Sequence, residues 1–134
     1  MYKDPAQNIG TASVKINYDN ELYDIGSIAD PTTNNRFDIR RAGVYTVSHS
    51  SFLGVDSNND TVRTHIYVDG SAVRESRIMG YYGATTSMGA TITTSLYLTS
   101  GQYVVGWVKQ EDSPSYNTFT DVNLRPQISI VETR

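Results

Sequence analysis

Cysteine is absent from the 134 residues, so no disulfide framework holds this chain together. Charge is sparse as well: 11 Lys and Arg against 14 Asp and Glu leave a net charge of -3. The only adjacent basic pair is Arg40-Arg41, and nonspecific nucleic-acid binding needs clustered positive charge, so that partner is not expected. No apolar run approaches the ~20 residues that span a bilayer, so membrane insertion is not expected either. The first ten residues lack the apolar centre of a signal peptide, which points to synthesis and assembly in a cytoplasm, with removal of a leader as the alternative. Only three Phe stand against ten Tyr. Tyrosine joins apolar area to a hydroxyl that wants a partner or water, which suits half-buried sheet faces, subunit interfaces and ligand sites.

No segment carries a convincing helical periodicity; alternation dominates instead. Val14, Ile16 and Tyr18 share one face of a first strand. Asp30 to Asn35 is a turn cluster, after which Phe37 and Ile39 recur at period two. Residues 36–53 read as strand, turn on Ala42-Gly43, and a long strand opening at Val44. In that strand Tyr45, Val47 and His49 face one way and Val44, Thr46 and Ser48 the other. Residues 54–60 read as a polar loop. Val62, Thr64, Ile66 and Val68 then alternate with Arg63, His65 and Tyr67. Asp69-Gly70 supplies the positive φ angles of a two-residue hairpin, with a return strand through Val73 to about Ile78. Residues 80–89 hold too much glycine for a strand interior and read as a loop. Ile92, Leu96 and Leu98 alternate with Thr91, Thr93, Ser95 and Tyr97. Thr99-Ser100-Gly101 turns the chain into a strand from Tyr103 to Lys109, residues 111–117 form another loop, and Ile128 and Ile130 mark a last strand. The expectation is one all-β domain over residues 1–134, an antiparallel jelly-roll sandwich of about eight to ten strands, with residues 1–10 as an extended N-terminal arm.

Three segments stand in a telling order: Phe37 with Gly43-Val44-Tyr45, then Val68-Asp69-Gly70, then Leu96-Tyr97-Leu98 with Gly101-Gln102-Tyr103-Val104. This series resembles the complement/tumour-necrosis-factor-like jelly-roll superfamily, over about Tyr23 to Gln110. The chain departs from that pattern where Phe119-Thr120-Asp121 only approximates the closing Phe-Gly signature, and no collagen-like stalk precedes the domain. The early stretch from Asn17 to Gly26 instead resembles the versions in bacteriophage fibre and capsid decoration proteins. That resemblance implies a homotrimer on a virion surface, assembled in a host cytoplasm and touching capsid or tail proteins.

Chemistry is thinner. His49 and His65 fall on consecutive predicted strands, but a cupin-type metal site needs a His-x-His pair, a glutamate and a third histidine, so both are read as structural or surface groups. Asp56, Asn58 and Asp60 place oxygen ligands at alternate positions. An EF-hand would need glycine and an acid where Thr61 and Tyr67 stand, so a solvated turn is the reading, with a calcium site of another kind as the alternative. Asn59-Asp60-Thr61 also fits a glycosylation sequon. No Gly-x-Ser-x-Gly elbow occurs and no pair of acids is spaced for acid/base work, so no enzyme activity and no other cofactor are expected. The ligand-binding candidates are Tyr81, Tyr82, Asp112, Tyr116 and Asn117, aromatic and polar residues in the two richest loops, suited to host-surface glycans. Tyr97, Tyr103 and Trp107, on strands, are candidates for the oligomer interface. The alternative function is a secreted glycan- or receptor-binding module; a cupin-like metalloenzyme is the weakest.

Overall fold

The computed structural model describes residues 1–3, 6–9, 11–21, 24, 26–55, 61–79, 86–111, 116–117 and 126–133. Eleven strands lie within them: β1 (Asn8–Ile9), β2 (Val14–Lys15), β3 (Ala29–Asp30), β4 (Arg36–Asp38), β5 (Gly43–Val55), β6 (Thr61–Val68), β7 (Ser71–Met79), β8 (Thr86–Leu98), β9 (Tyr103–Gln110), β10 (Tyr116–Asn117) and β11 (Gln127–Thr133). All pairings are antiparallel. One sheet runs β11-β5-β8; the second runs β3-β4-β9-β6-β7, with β2 also paired to β9; β1 and β10 form a separate ribbon. From β5 onward the chain crosses between the two main sheets at β5–β6, β7–β8 and β8–β9, the shuttling that makes the architecture a jelly-roll sandwich.

The strand alternation carries the core. Tyr45, Val47, His49, Ser51 and Leu53 of β5 point inward, and Val62, Thr64, Ile66 and Val68 of β6 meet them from the other sheet. Phe37, Ile39, Ile92, Leu98, Val104, Val108 and Ile128 complete the interior. Ile16 and Tyr18 are fully buried as their spacing predicts, although the regular strand there spans only Val14–Lys15. The Asp69-Gly70 turn has φ of 50° and 80° at its two central residues, the pair of positive angles that matches the right-handed twist of its strands. Asp30 closes the preceding turn cluster by accepting from the backbone N–H of Thr33 at 2.9 Å and of Asn34 at 3.2 Å.

Four boundary expectations are corrected. Gly43 is the first residue of β5, paired with Leu98, rather than the centre of a turn. The β5 strand continues through Gly54 and Val55, two residues into the expected loop. β8 begins at Thr86, so Gly89 lies inside a strand. The reason is local: Gly89 faces Phe52 across the ladder, and a Cβ there would sit 2.1 Å from the Phe52 ring. The glycine makes room for a cross-strand aromatic rather than for a bend. Tyr116-Asn117, expected in a loop, forms β10 against β1. Residues 1–3 of the expected N-terminal arm lie along the sandwich: Ile128 donates to the Met1 carbonyl at 2.9 Å and Lys3 to the Pro126 carbonyl at 3.0 Å.

Candidate functional site

Tyr81, Tyr82 and Asp112 lie outside the described residues, as do Asp56, Asn58, Asp60 and Phe119 to Asp121; for Tyr116 and Asn117 only the strand is described. The three aromatic interface candidates separate. Tyr97 projects from the outer face of the three-stranded sheet, whereas Tyr103 and Trp107 sit on the outer face of the six-stranded sheet, on the opposite side of the molecule.

Among the described residues the outer face around Tyr97 is uncharged. β5 contributes Val44, Thr46, Ser48, Ser50 and Phe52, β8 contributes Thr91, Thr93, Ser95 and Tyr97, and β11 contributes Gln127, Ser129, Val131 and Thr133. Its hydroxyls pair with one another: Ser48 with Thr93 at 2.7 Å, and Thr46 with both Ser95 and Thr133 at 3.3 Å. Above them stand Tyr97, 69% exposed, Val131 at 60% and Val44 at 42%. Val44 and Tyr97 are ladder partners, and Val131, the partner of Thr46, stands one pair further along the same face. Sequence alternation marks each as outward-facing. Only the β11–β5 register puts Val131 on the face of the other two.

The opposite outer face is charged and aromatic. Arg63 bonds Glu75 at 2.8 Å and Glu111 at 2.8 Å; Glu111 also reaches Lys109 at 3.4 Å and Arg77 at 3.6 Å. Hydrogen bonding from Arg63 holds the Glu111 carboxyl below its ordinary value. His65 Nε2 lies 3.1 Å from Glu75 Oε2. Toward the Asp69-Gly70 turn the face becomes aromatic. Tyr67 stacks on Trp107 with ring centres 4.9 Å apart, and the Arg36 guanidinium lies 4.6 Å from the centre of the Tyr103 ring.

The two histidines do not share a site. β5 and β6 lie in opposite sheets, so His49 is an interior group and His65 an outer-face one. They meet through backbone only: His49 Nδ1 lies 3.1 Å from the His65 carbonyl. A carbonyl only accepts, so Nδ1 carries the proton and Nε2 is left as an acceptor. Nε2 and the Tyr18 hydroxyl both turn toward Gly106, lying 2.6 Å and 2.3 Å from where a Cβ would stand, and neither has a hydrogen-bond partner among the described residues. Burial lowers the His49 pKa to about 3 and raises that of Tyr18, so both stay neutral near pH 7. Beside them Ser51 and Thr64 join the sheets at 2.7 Å, and Thr64 donates to the Ala90 carbonyl at 3.1 Å. Among the described residues no group of three His, Asp or Glu side chains is gathered as for a metal.

No protein-family model matches the sequence, and no curated protein does. Among solved structures the Eiger TNF from S. frugiperda superposes with a TM-score of 0.60 at 12% identity, covering 96% of this chain and 92% of that one. At that identity the likeness concerns the fold. The two-sheet order, the shuttling connections and this superposition together give the chain a tumour-necrosis-factor-like jelly-roll fold.

Proposed function

We propose that this chain is a non-enzymatic assembly module that works as a homotrimer, and that the trimer is a virion surface component such as a capsid decoration protein, head fibre or tail-fibre tip. The observation that carries the trimer is the uncharged outer face of the β11-β5-β8 sheet, with Tyr97, Val131 and Val44 exposed on it. Three of the four exposed large hydrophobics found among the described residues occupy this one face. Interfaces concentrate aromatic and apolar groups at their centre and exclude charge from it, as this face does. Cyclic closure would bury the face against its copies and cover sheet edges as well.

Both histidines of the chain support a non-enzymatic role. His49 is sealed inside the sandwich, and His65 is engaged with Glu75. The virion setting rests on the resemblance of residues 17–26 to bacteriophage fibre and decoration proteins. Light scattering at low micromolar concentration tests the oligomer. A particle of three times the 14.9 kDa chain mass supports the proposal, and a clean monomer removes it. Flanking capsid or tail genes would support the virion setting; flanking secretion genes would favour the alternative, a secreted recognition module.

A further inference from the structure

The aromatic end of the six-stranded sheet holds a groove that assembly through the other face does not use. Its origin is in the register. β9 pairs with β6 along one edge; along the other, Tyr103 and Val104 pair with β4, and Trp107 and Val108 pair with β2. The break between β4 and β2 falls at Val105, where a groove of about 340 Å³ opens, walled by Lys15, Arg36, Tyr103 and Trp107 with Asn34 and Gly70 at its rim. That volume lies within the range of small-ligand sites. Tyr67 stacks on the indole from outside the groove and braces it.

Two cations converge here. Arg36 is fixed by Asp38 at 2.7 Å and by the Tyr103 ring. The Lys15 ammonium is held by a neutral group, the Asn34 carbonyl, at 3.0 Å. Positive charge beside two aromatic side chains suits a ligand with one apolar ring face and one anionic substituent. A nucleic-acid strand combines stacking with charge too, but it requires cations along a track. Beyond Arg36 and Lys15 the cations of this face, Arg63, Arg77 and Lys109, are engaged with Glu75 and Glu111, so no open track of positive charge is left, and the chain is net negative.

We propose that this groove binds an acidic saccharide. The C–H face of a sugar ring lies against Trp107 and Tyr103, and its carboxylate or sulfate meets Lys15 and Arg36. The groove is built within one protomer, so it does not depend on the trimer.

Trp107 is the only tryptophan of the chain, which makes its fluorescence a direct reporter. The full chain is titrated with sialyllactose, with a sulfated heparin disaccharide, with lactose and with AMP. The expected result is a saturable change with at least one acidic saccharide, with a Kd on the order of 1 mM or tighter, and none with lactose. Lys15→Ala and Arg36→Ala should each weaken binding about tenfold while leaving the circular dichroism unchanged. A monomeric Tyr97→Asp variant should titrate like the parent. The tighter of the two acidic probes tells carboxylate from sulfate. Failure of both to saturate, an equal response to lactose, tighter binding of AMP, or unaltered titration by the two alanine variants would each overturn the proposal.

Discussion

The two outer faces of this sandwich are built from the same alternation but decorated in opposite ways. The β11-β5-β8 face carries hydroxyls and three exposed apolar side chains with no charge, whereas the β4-β9-β6-β7 face carries Arg63, Arg77, Lys109, Glu75 and Glu111. A face left to water all its life gains from charge, which is well solvated and keeps copies apart. A face destined for burial loses by it, because each unpaired charge taken out of water is costly. Thr46, Ser48, Thr93, Ser95 and Thr133 of the first face are already paired with one another, so less polar hydration has to be surrendered when it is covered. The difference teaches which side of the molecule loses least when it is covered and which is best suited to stay in water.

The largest expected effect comes from placing charge on the uncharged face. Tyr97→Asp with Val131→Asp should weaken assembly of the proposed trimer by on the order of 100-fold or more and give a monomer on light scattering. Glu75→Ala with Arg77→Ala on the other face should leave the mass unchanged. If both pairs of changes act alike, the contrast between the faces has no functional meaning.

Next comes the packing that holds the faces apart. Gly106→Ala would drive a Cβ to within 2.3 Å of the Tyr18 hydroxyl and 2.6 Å of His49 Nε2. It should cost about 3 kcal/mol in denaturant unfolding, since overpacking a filled core forces its neighbours off their rotamers. Tyr18→Phe in the same chain removes the hydroxyl at the point of collision and should recover part of that loss. Strict additivity of the two changes would show that the atoms do not collide.

Acid should act through the same site. The folded His49 pKa of about 3 lies below the ordinary 6.5 of the unfolded imidazole. Above pH 6.5 neither state takes the proton and His49 has no effect. Below it only the unfolded chain does, so stability falls by about 1.4 kcal/mol per pH unit until the folded pKa is reached. Near pH 4.5 this amounts to about 3 kcal/mol, and a His49→Gln variant should lack that part of the acid dependence.

The smallest effect belongs to the charged face. Arg63→Ala removes the centre of an exposed network and should barely move the denaturant midpoint, and less still in high salt. A large drop in that midpoint would mean that this face carries stability rather than solubility.

Much of this could be read in the residues themselves. The inward positions of β5, β6 and β8 follow from period-two spacing, because successive strand side chains must point to opposite faces. Asp69-Gly70 announces its hairpin because few other pairs tolerate two positive φ angles. Gly89 misleads when read alone. Glycine signals both a turn and a close approach, and only a partner far along the chain decides between them: Phe52 at Gly89, Tyr18 and His49 at Gly106. The same limit separates Tyr97 from Tyr103 and Trp107, all outward on their strands but on sheets that face away from each other.

The sequence alone therefore determined a cysteine-free, all-β chain, the residues that turn inward and the tight turn at Asp69-Gly70. Those properties depend on backbone geometry and on neighbours one or two residues away. Tertiary structure alone decided that Val131 shares one outer face with Val44 and Tyr97, that His49 is sealed beside Gly106, and that β2 and β4 leave a cationic, aromatic groove over Val105. Each of these requires pairing between strands distant in sequence, and that pairing is set by cooperative packing of the whole sandwich rather than by any local pattern.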